Sequence, residues 1–154
     1  MKFTGQFVWA TIDRKDYERD LKEALRVQLM EVAKAWLAGV TGRIPVWSGM
    51  SRGSLLALTE LVNGTLVISP RDGVASRIIE GRSLGTAKWY KNLKDFKIVI
   101  ETNVPHYNLQ EYTNVGISKS APWGSLEAGM AAAKLVSNNV RLPRITLKRH
   151  IEKL

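Results

Sequence analysis

The sequence predicts an α+β fold: a long N-terminal amphipathic helix and a C-terminal helix packed on a small antiparallel β-sheet, with a long mobile loop. Three observations predict it. Tyr17, Leu21, Leu25, Leu29, Val32, Trp36 and Val40 step by three and four, the spacing that lines one face of an α-helix. Phe96, Ile98 and Ile100 recur at every second position, which places them on one face of a strand. Leu126, Met130, Ala133 and Val136 return to helical spacing in an alanine-rich stretch from Trp123 to about Val140. A chain of 154 residues with 45% hydrophobic content has the size of one domain, and buries roughly 70% of its unfolded surface.

The elements follow in order. Phe3 to Ile12 carries Phe3, Phe7, Val8, Trp9 and Ile12 with few charges and reads as a short strand. Asp13 or Asp16 then caps the first helix, Glu18 and Lys22 support it at i,i+4, and Gly39 and Gly42 end it. Its stripe Leu21, Leu25, Leu29, Val32 and Trp36 is expected to face Phe96, Ile98 and Ile100. Pro45 marks a turn. Ser48 is placed to cap a second helix with Leu55, Leu56, Leu58, Leu61 and Val62, closed by Asn63-Gly64.

Thr65 to Ile68 is a short β-type run stopped by Pro70. From Arg71 to Asp95 the apolar pattern is weak, with Gly73, Gly81 and Gly85 and a basic excess. This 71–95 stretch is expected to be an extended, mobile loop that orders against a partner. Beyond the strand at 96–102, His106 to Tyr112 suggests one or two helical turns. The third helix is broken at Arg141-Leu142-Pro143-Arg144, and Ile145 to Ile151 forms a last basic strand within a basic segment at 141–154.

Composition narrows the chemistry. Cysteine is absent, which removes disulfides, thiolate nucleophiles and zinc–thiolate sites. The two histidines, His106 and His150, lie far apart and form no metal-binding pair. Neither a Gly-x-Ser-x-Gly elbow nor a phosphate-loop lysine occurs. Asp13, Asp16 and Asp20 share a helix start, where acids complement the helix dipole, and that reading is preferred to a cation site. No catalytic, cofactor or metal residue is therefore assigned, and no apolar run is long enough to cross a membrane.

The net charge is +9, from 23 Lys plus Arg against 14 Asp plus Glu, and it suits an acidic partner. The excess concentrates in the middle, where Arg71, Arg77, Arg82, Lys88 and Lys91 surround Trp89 and Tyr90. These seven residues are the candidate contacts to another subunit or to DNA, the latter without sequence preference because no recognition motif is present.

Three stretches carry a resemblance. Pro45-Val46-Trp47-Ser48-Gly49-Met50-Ser51-Arg52-Gly53-Ser54 resembles the Pro-x-x-Thr-Gly-x-x-Arg-x-Ser signature of small tail-completion and neck proteins of long-tailed bacteriophages, the minor tail protein Z type and related tail components. Ser48 replaces the usual Thr and keeps a capping hydroxyl, whereas Trp47 replaces a usual Asp. His106 to Thr113 is similar to a second family stretch, Tyr-Ala-x-x-x-Glu-Phe-Gly, with Glu111 and Tyr112 matching its acid and aromatic. Ala121-Pro122-Trp123 resembles the family's entry into its last helix.

The order of the three pieces agrees over about residues 15–140. The resemblance implies a single tail-completion-like domain over 1–154. It also implies a virion protein, assembled in the host cytoplasm, that finishes the head-proximal end of the tail and helps join tail to head. It further implies a ring-like homo-oligomer beside tail terminator or tail tube proteins and head–tail connector proteins, with genomic dsDNA nearby. The alternative is a small basic nucleic-acid-binding accessory protein.

Overall fold

A 28-residue helix needs a start, a stripe and a stop, and the sequence supplies all three. In the computed structural model, which describes residues 6–44, 49–66, 75–92, 94–105, 124–139 and 147–153, helix α1 runs Arg14–Thr41. Asp13 starts it: its Oδ1 accepts the backbone N–H of Asp16 at 3.3 Å, satisfying one donor that no helical carbonyl reaches. Gly42 follows its last residue, and the Gly42 N–H donates back to the Ala38 carbonyl at 3.1 Å. Gly39, expected to share in ending α1, lies inside it.

Strand β1 (Gln6–Ile12) precedes α1. It pairs antiparallel with β4 (Leu147–Lys153), with Gln6 opposite Lys153 and Ile12 opposite Leu147. By their contacts, this pair and α1 up to Val27 form one compact unit, and residues 28–140 form a second. On the α1 segment of the first unit, Arg19 bridges Asp16 and Asp20, each at 3.1 Å, and Arg26 holds Glu23 at 2.7 Å. These exposed pairs contribute little to stability individually.

In the second unit the expected second helix is two. Helix α2 (Met50–Gly53) and helix α3 (Leu56–Val62) are separated at Ser54 and Leu55. Asn63, at φ 50°, ends α3, and the Gly64 N–H closes onto the Thr59 carbonyl at 2.9 Å. Thr65 and Leu66 carry no regular structure; the remainder of that expected β-run lies outside the described residues.

The 71–95 loop is corrected over most of its length. Residues 75–84 form helix α4 (Ala75–Leu84), and strand β2 (Gly85–Asn92) continues directly from it. Strand β2 pairs antiparallel with β3 (Asp95–Thr102), from Gly85 opposite Thr102 to Asn92 opposite Asp95. The pattern was weak for a physical reason: α4 meets α2 through backbone rather than side chains. A Cβ on Gly53 would lie 2.5 Å from the Ile78 carbonyl oxygen, and one on Gly81 or Gly85 would overlap the Met50 or Ser54 carbonyl. Glycines that read as breakers are the points of closest approach.

The core of this unit gathers Ala33, Leu37, Val40, Ile44, Met50, Leu55, Leu58, Val62 and Val104. Ile98 and Ile100 of β3 pack against it, as the strand pattern requires. The buried face of α1 is Ala33, Leu37 and Val40, and Trp36 packs half-buried against the same core. Trp36 and Val40 of the expected stripe thus lie inward, and the most buried line runs along the Ala33–Leu37 side that widens it. Helix α5 (Ser125–Ser137) lies against α1, where Gly39 faces the Ala128–Gly129 backbone and Gly129 faces Trp36 and Val40. The Gln28 side-chain amide donates to the Val136 carbonyl at 3.2 Å.

Candidate functional site

The described part of the Pro45–Ser54 stretch builds a joint. Gly49, at φ 74°, takes a left-handed conformation at the entry to α2, which a side chain would oppose. One turn later Arg52 reaches back to the end of α1. Its Nε and Nη2 donate to the Ile44 carbonyl at 2.9 and 2.6 Å, and Nη2 also donates to the Thr41 carbonyl at 2.9 Å. No basic residue stands in the last turn of α1, so Arg52 brings positive charge to the negative end of the helix dipole from eight or more residues away. Burial lowers the Arg52 pKa from its ordinary value, but a guanidinium remains charged at any physiological pH.

Ser54 ties the other side. The residue is 1% exposed, and its hydroxyl donates to the Ser51 carbonyl at 2.8 Å and accepts the Thr102 hydroxyl at 2.9 Å. Thus α2 is linked to α1 through Arg52, to β3 through Ser54 and Thr102, and to α4 and β2 through glycine contacts. Gly49, Arg52 and Ser54 are brought together. Pro45, Ser48, Glu111, Tyr112 and Pro122 lie outside the described residues, as does His106.

The candidate contact residues separate into two groups. Arg77 donates to Glu80 at 2.7 Å within α4. Arg82 grips Glu60 of α3 with both nitrogens, at 3.0 and 2.6 Å. The hydrogen bond from Arg82 holds the Glu60 carboxyl below its usual range, and Glu60 raises the Arg82 pKa in return. These two residues line a cleft of about 420 Å³ with Leu61, Thr86 and Ala87.

Lys88, Trp89, Tyr90 and Lys91 lie instead on the far half of the β2–β3 ribbon. Lys88, Tyr90 and Lys91 are exposed, and Trp89 is half-buried. Trp89 meets Phe96 across the strands edge to face, with centroids 5.9 Å apart; its buried Nε1 finds no hydrogen-bond partner among the described residues. Lys97 stands over the Tyr90 ring at 5.4 Å and pairs with Asp95 at 2.8 Å. Asp95 raises the Lys97 pKa by hydrogen bonding. Arg71 lies outside the described residues.

Sequence reading missed the place of Thr102, whose partner Ser54 is distant in the chain, and it counts Lys94 and Lys97 in the basic middle without placing them on a ribbon with Lys88 and Lys91. Strand pairing with β3 is the signal that joins those lysines to Lys88 and Lys91. The three acids at the start of α1 are engaged locally: Asp13 caps, while Asp16 and Asp20 bind Arg19. Among the described residues no cluster of three His, Cys, Asp or Glu is placed to hold a metal, and no helix is long and apolar enough to cross a membrane. Comparison with protein-family models, curated proteins and solved structures finds no match.

Proposed function

We propose that the chain is a structural protein of a long-tailed bacteriophage particle, completing the head-proximal end of the tail and helping to join tail to head. The observation that carries this reading is the Gly49–Arg52–Ser54 stretch after α1. The residues that resemble the tail-completion signature are engaged as a joint: Arg52 donates to the carbonyl end of α1, and Ser54 links to β3. Scaffold geometry accounts for these residues without a reacting group. In this reading the protein is not an enzyme. It forms a ring-like homo-oligomer seated against tail terminator or tail tube proteins and connector proteins.

The test is to delete the coding sequence from the genome that produces the particles and inspect the lysate by electron microscopy. Filled heads and unjoined tails are expected, with infectivity restored by supplying the chain in trans. Normal joined particles, from which mass spectrometry also shows the chain to be absent, would overturn the assignment.

A further inference from the structure

The β2–β3 ribbon changes character along its length. Near α4, Ala87, Ile98 and Ile100 pack on the core. Further out, Trp89 and Phe96 pack on each other, and strand pairing continues to Asn92 opposite Asp95. The outer half is thus stiffened by its own cross-strand pair. Residues 88–97 contain Lys88, Lys91, Lys94 and Lys97 against Asp95 as the one acid, and all four lysines are exposed.

Their distribution indicates the partner. Side chains alternate between faces along a strand. Lys88 and Tyr90 therefore share one face with their cross-strand neighbours Val99 and Lys97, whereas Lys91 lies on the Trp89 face and Lys94 at the turn. Positive charge surrounds the tip. A flat acidic protein surface engages one face of a ribbon, but a DNA groove sets a row of phosphates on each side. The major groove, about 12 Å wide, admits a two-stranded ribbon. Lysine acts as a point charge rather than a planar fork, which suits phosphate contact without base reading.

We propose that the outer half of the β2–β3 ribbon docks into a groove of double-stranded DNA, with Lys88, Lys91, Lys94 and Lys97 meeting its phosphates. This goes beyond the virion assignment and is separable from it, since DNA binding by the ribbon needs no particle.

The experiment uses the full chain and a fluorescein-labelled 25-base-pair duplex, with anisotropy read across a salt series. The variant K88Q/K91Q/K94Q is compared with K15Q/K22Q/R43Q, which removes the same charge from exposed positions elsewhere. Circular dichroism melting verifies that both fold. Wild type is expected to bind with steep salt dependence. The ribbon variant should lose about tenfold or more in affinity, with its log–log salt slope shallower by about three, roughly one per lysine. The control variant should stay within about threefold of wild type. Equal losses in the two variants would assign binding to diffuse charge and overturn the proposal. Absence of duplex binding by wild type would do the same. So would displacement of the duplex by polyglutamate at equal charge concentration, which would point to an acidic protein partner.

Discussion

The joint around α2 and the outer half of the β2–β3 ribbon treat their cations in opposite ways. At the joint the Arg52 guanidinium is half-buried, and its nitrogens donate to the Thr41 carbonyl at the end of α1 and the Ile44 carbonyl just beyond it. On the ribbon the lysines stand in solvent; Lys97 pairs with Asp95 and stands over the Tyr90 ring. The two regions are also held differently. Glycine contacts lock the joint backbone to backbone, where no rotamer change relieves a clash. The ribbon tip is stiffened by a Trp–Phe side-chain pair that can adjust. Positive charge used on backbone therefore marks architecture, and positive charge left exposed marks a surface free to meet a partner.

Substitution at the joint's glycines breaks this contrast most severely. A Cβ at Gly85 falls on the Ser54 carbonyl, so Gly85→Ala has to part α2 from β2. A loss of about 3 kcal/mol or more is expected by urea unfolding, at the upper end of overpacking costs. Gly42→Ala is the control: its Cβ would lie 3.4 Å from the Ala38 carbonyl oxygen, and it should shift stability by about 1 kcal/mol at most. Similar midpoints for the two variants would show that α2 yields and that the joint is not locked.

Removing the cation comes next. Arg52→Met retains much of the side-chain length but leaves the Ile44 and Thr41 carbonyls without their donors. The expected cost is about 2–3 kcal/mol, typical of hydrogen bonds to a charged group. Arg52→Lys keeps the charge without the fork and should fall between. If lysine behaves as wild type in urea unfolding, charge at the helix end rather than fork geometry is what the joint uses.

The same contrast explains what the sequence made legible. Helix α1, helix α5 and strand β3 bury side chains at regular spacing, so periodicity located them to within a few residues. Asp13 and Asn63-Gly64 announced helix ends because capping is local chemistry. Helix α4 and strand β2 escaped because Gly81 and Gly85 pack through their backbones, leaving no apolar periodicity to detect. The joint was visible as a motif, yet Arg52 and Ser54 became intelligible only once Ile44, Thr41 and Thr102 were placed beside them. The basic middle was visible as charge. Its division into Arg77 and Arg82, paired with acids, and ribbon lysines in solvent depends on the α3–α4 and β2–β3 neighbours.

A smaller effect sharpens the account of the ribbon. If Trp89 and Phe96 stiffen the tip as a pair, the double-mutant cycle of Trp89→Ala and Phe96→Ala should give a coupling of about 0.5–1.5 kcal/mol. Stability measured by denaturation supplies the cycle. Strict additivity would mean that each ring packs on something other than its partner.

The smallest expected effect concerns Arg82 and Glu60, which lie between the two extremes: a bidentate pair, but at the surface, with side chains 41% and 62% exposed. Solvent screening keeps such a pair weak, so its pH signature tells more than its size. Glu60 has a lowered pKa in the folded chain, chiefly because it accepts the Arg82 hydrogen bond. Its contribution is therefore fully present above the ordinary glutamate pKa of about 4.3, and is lost as pH falls through the lower folded value. Glu60→Gln should lower the urea midpoint slightly at pH 7, and the gap from wild type should narrow as pH falls below the ordinary glutamate value and Glu60 becomes protonated. Added salt should narrow the pH 7 gap. A gap that persists unchanged in acid would assign the loss to packing in the α3–α4–β2 cleft rather than to the ion pair.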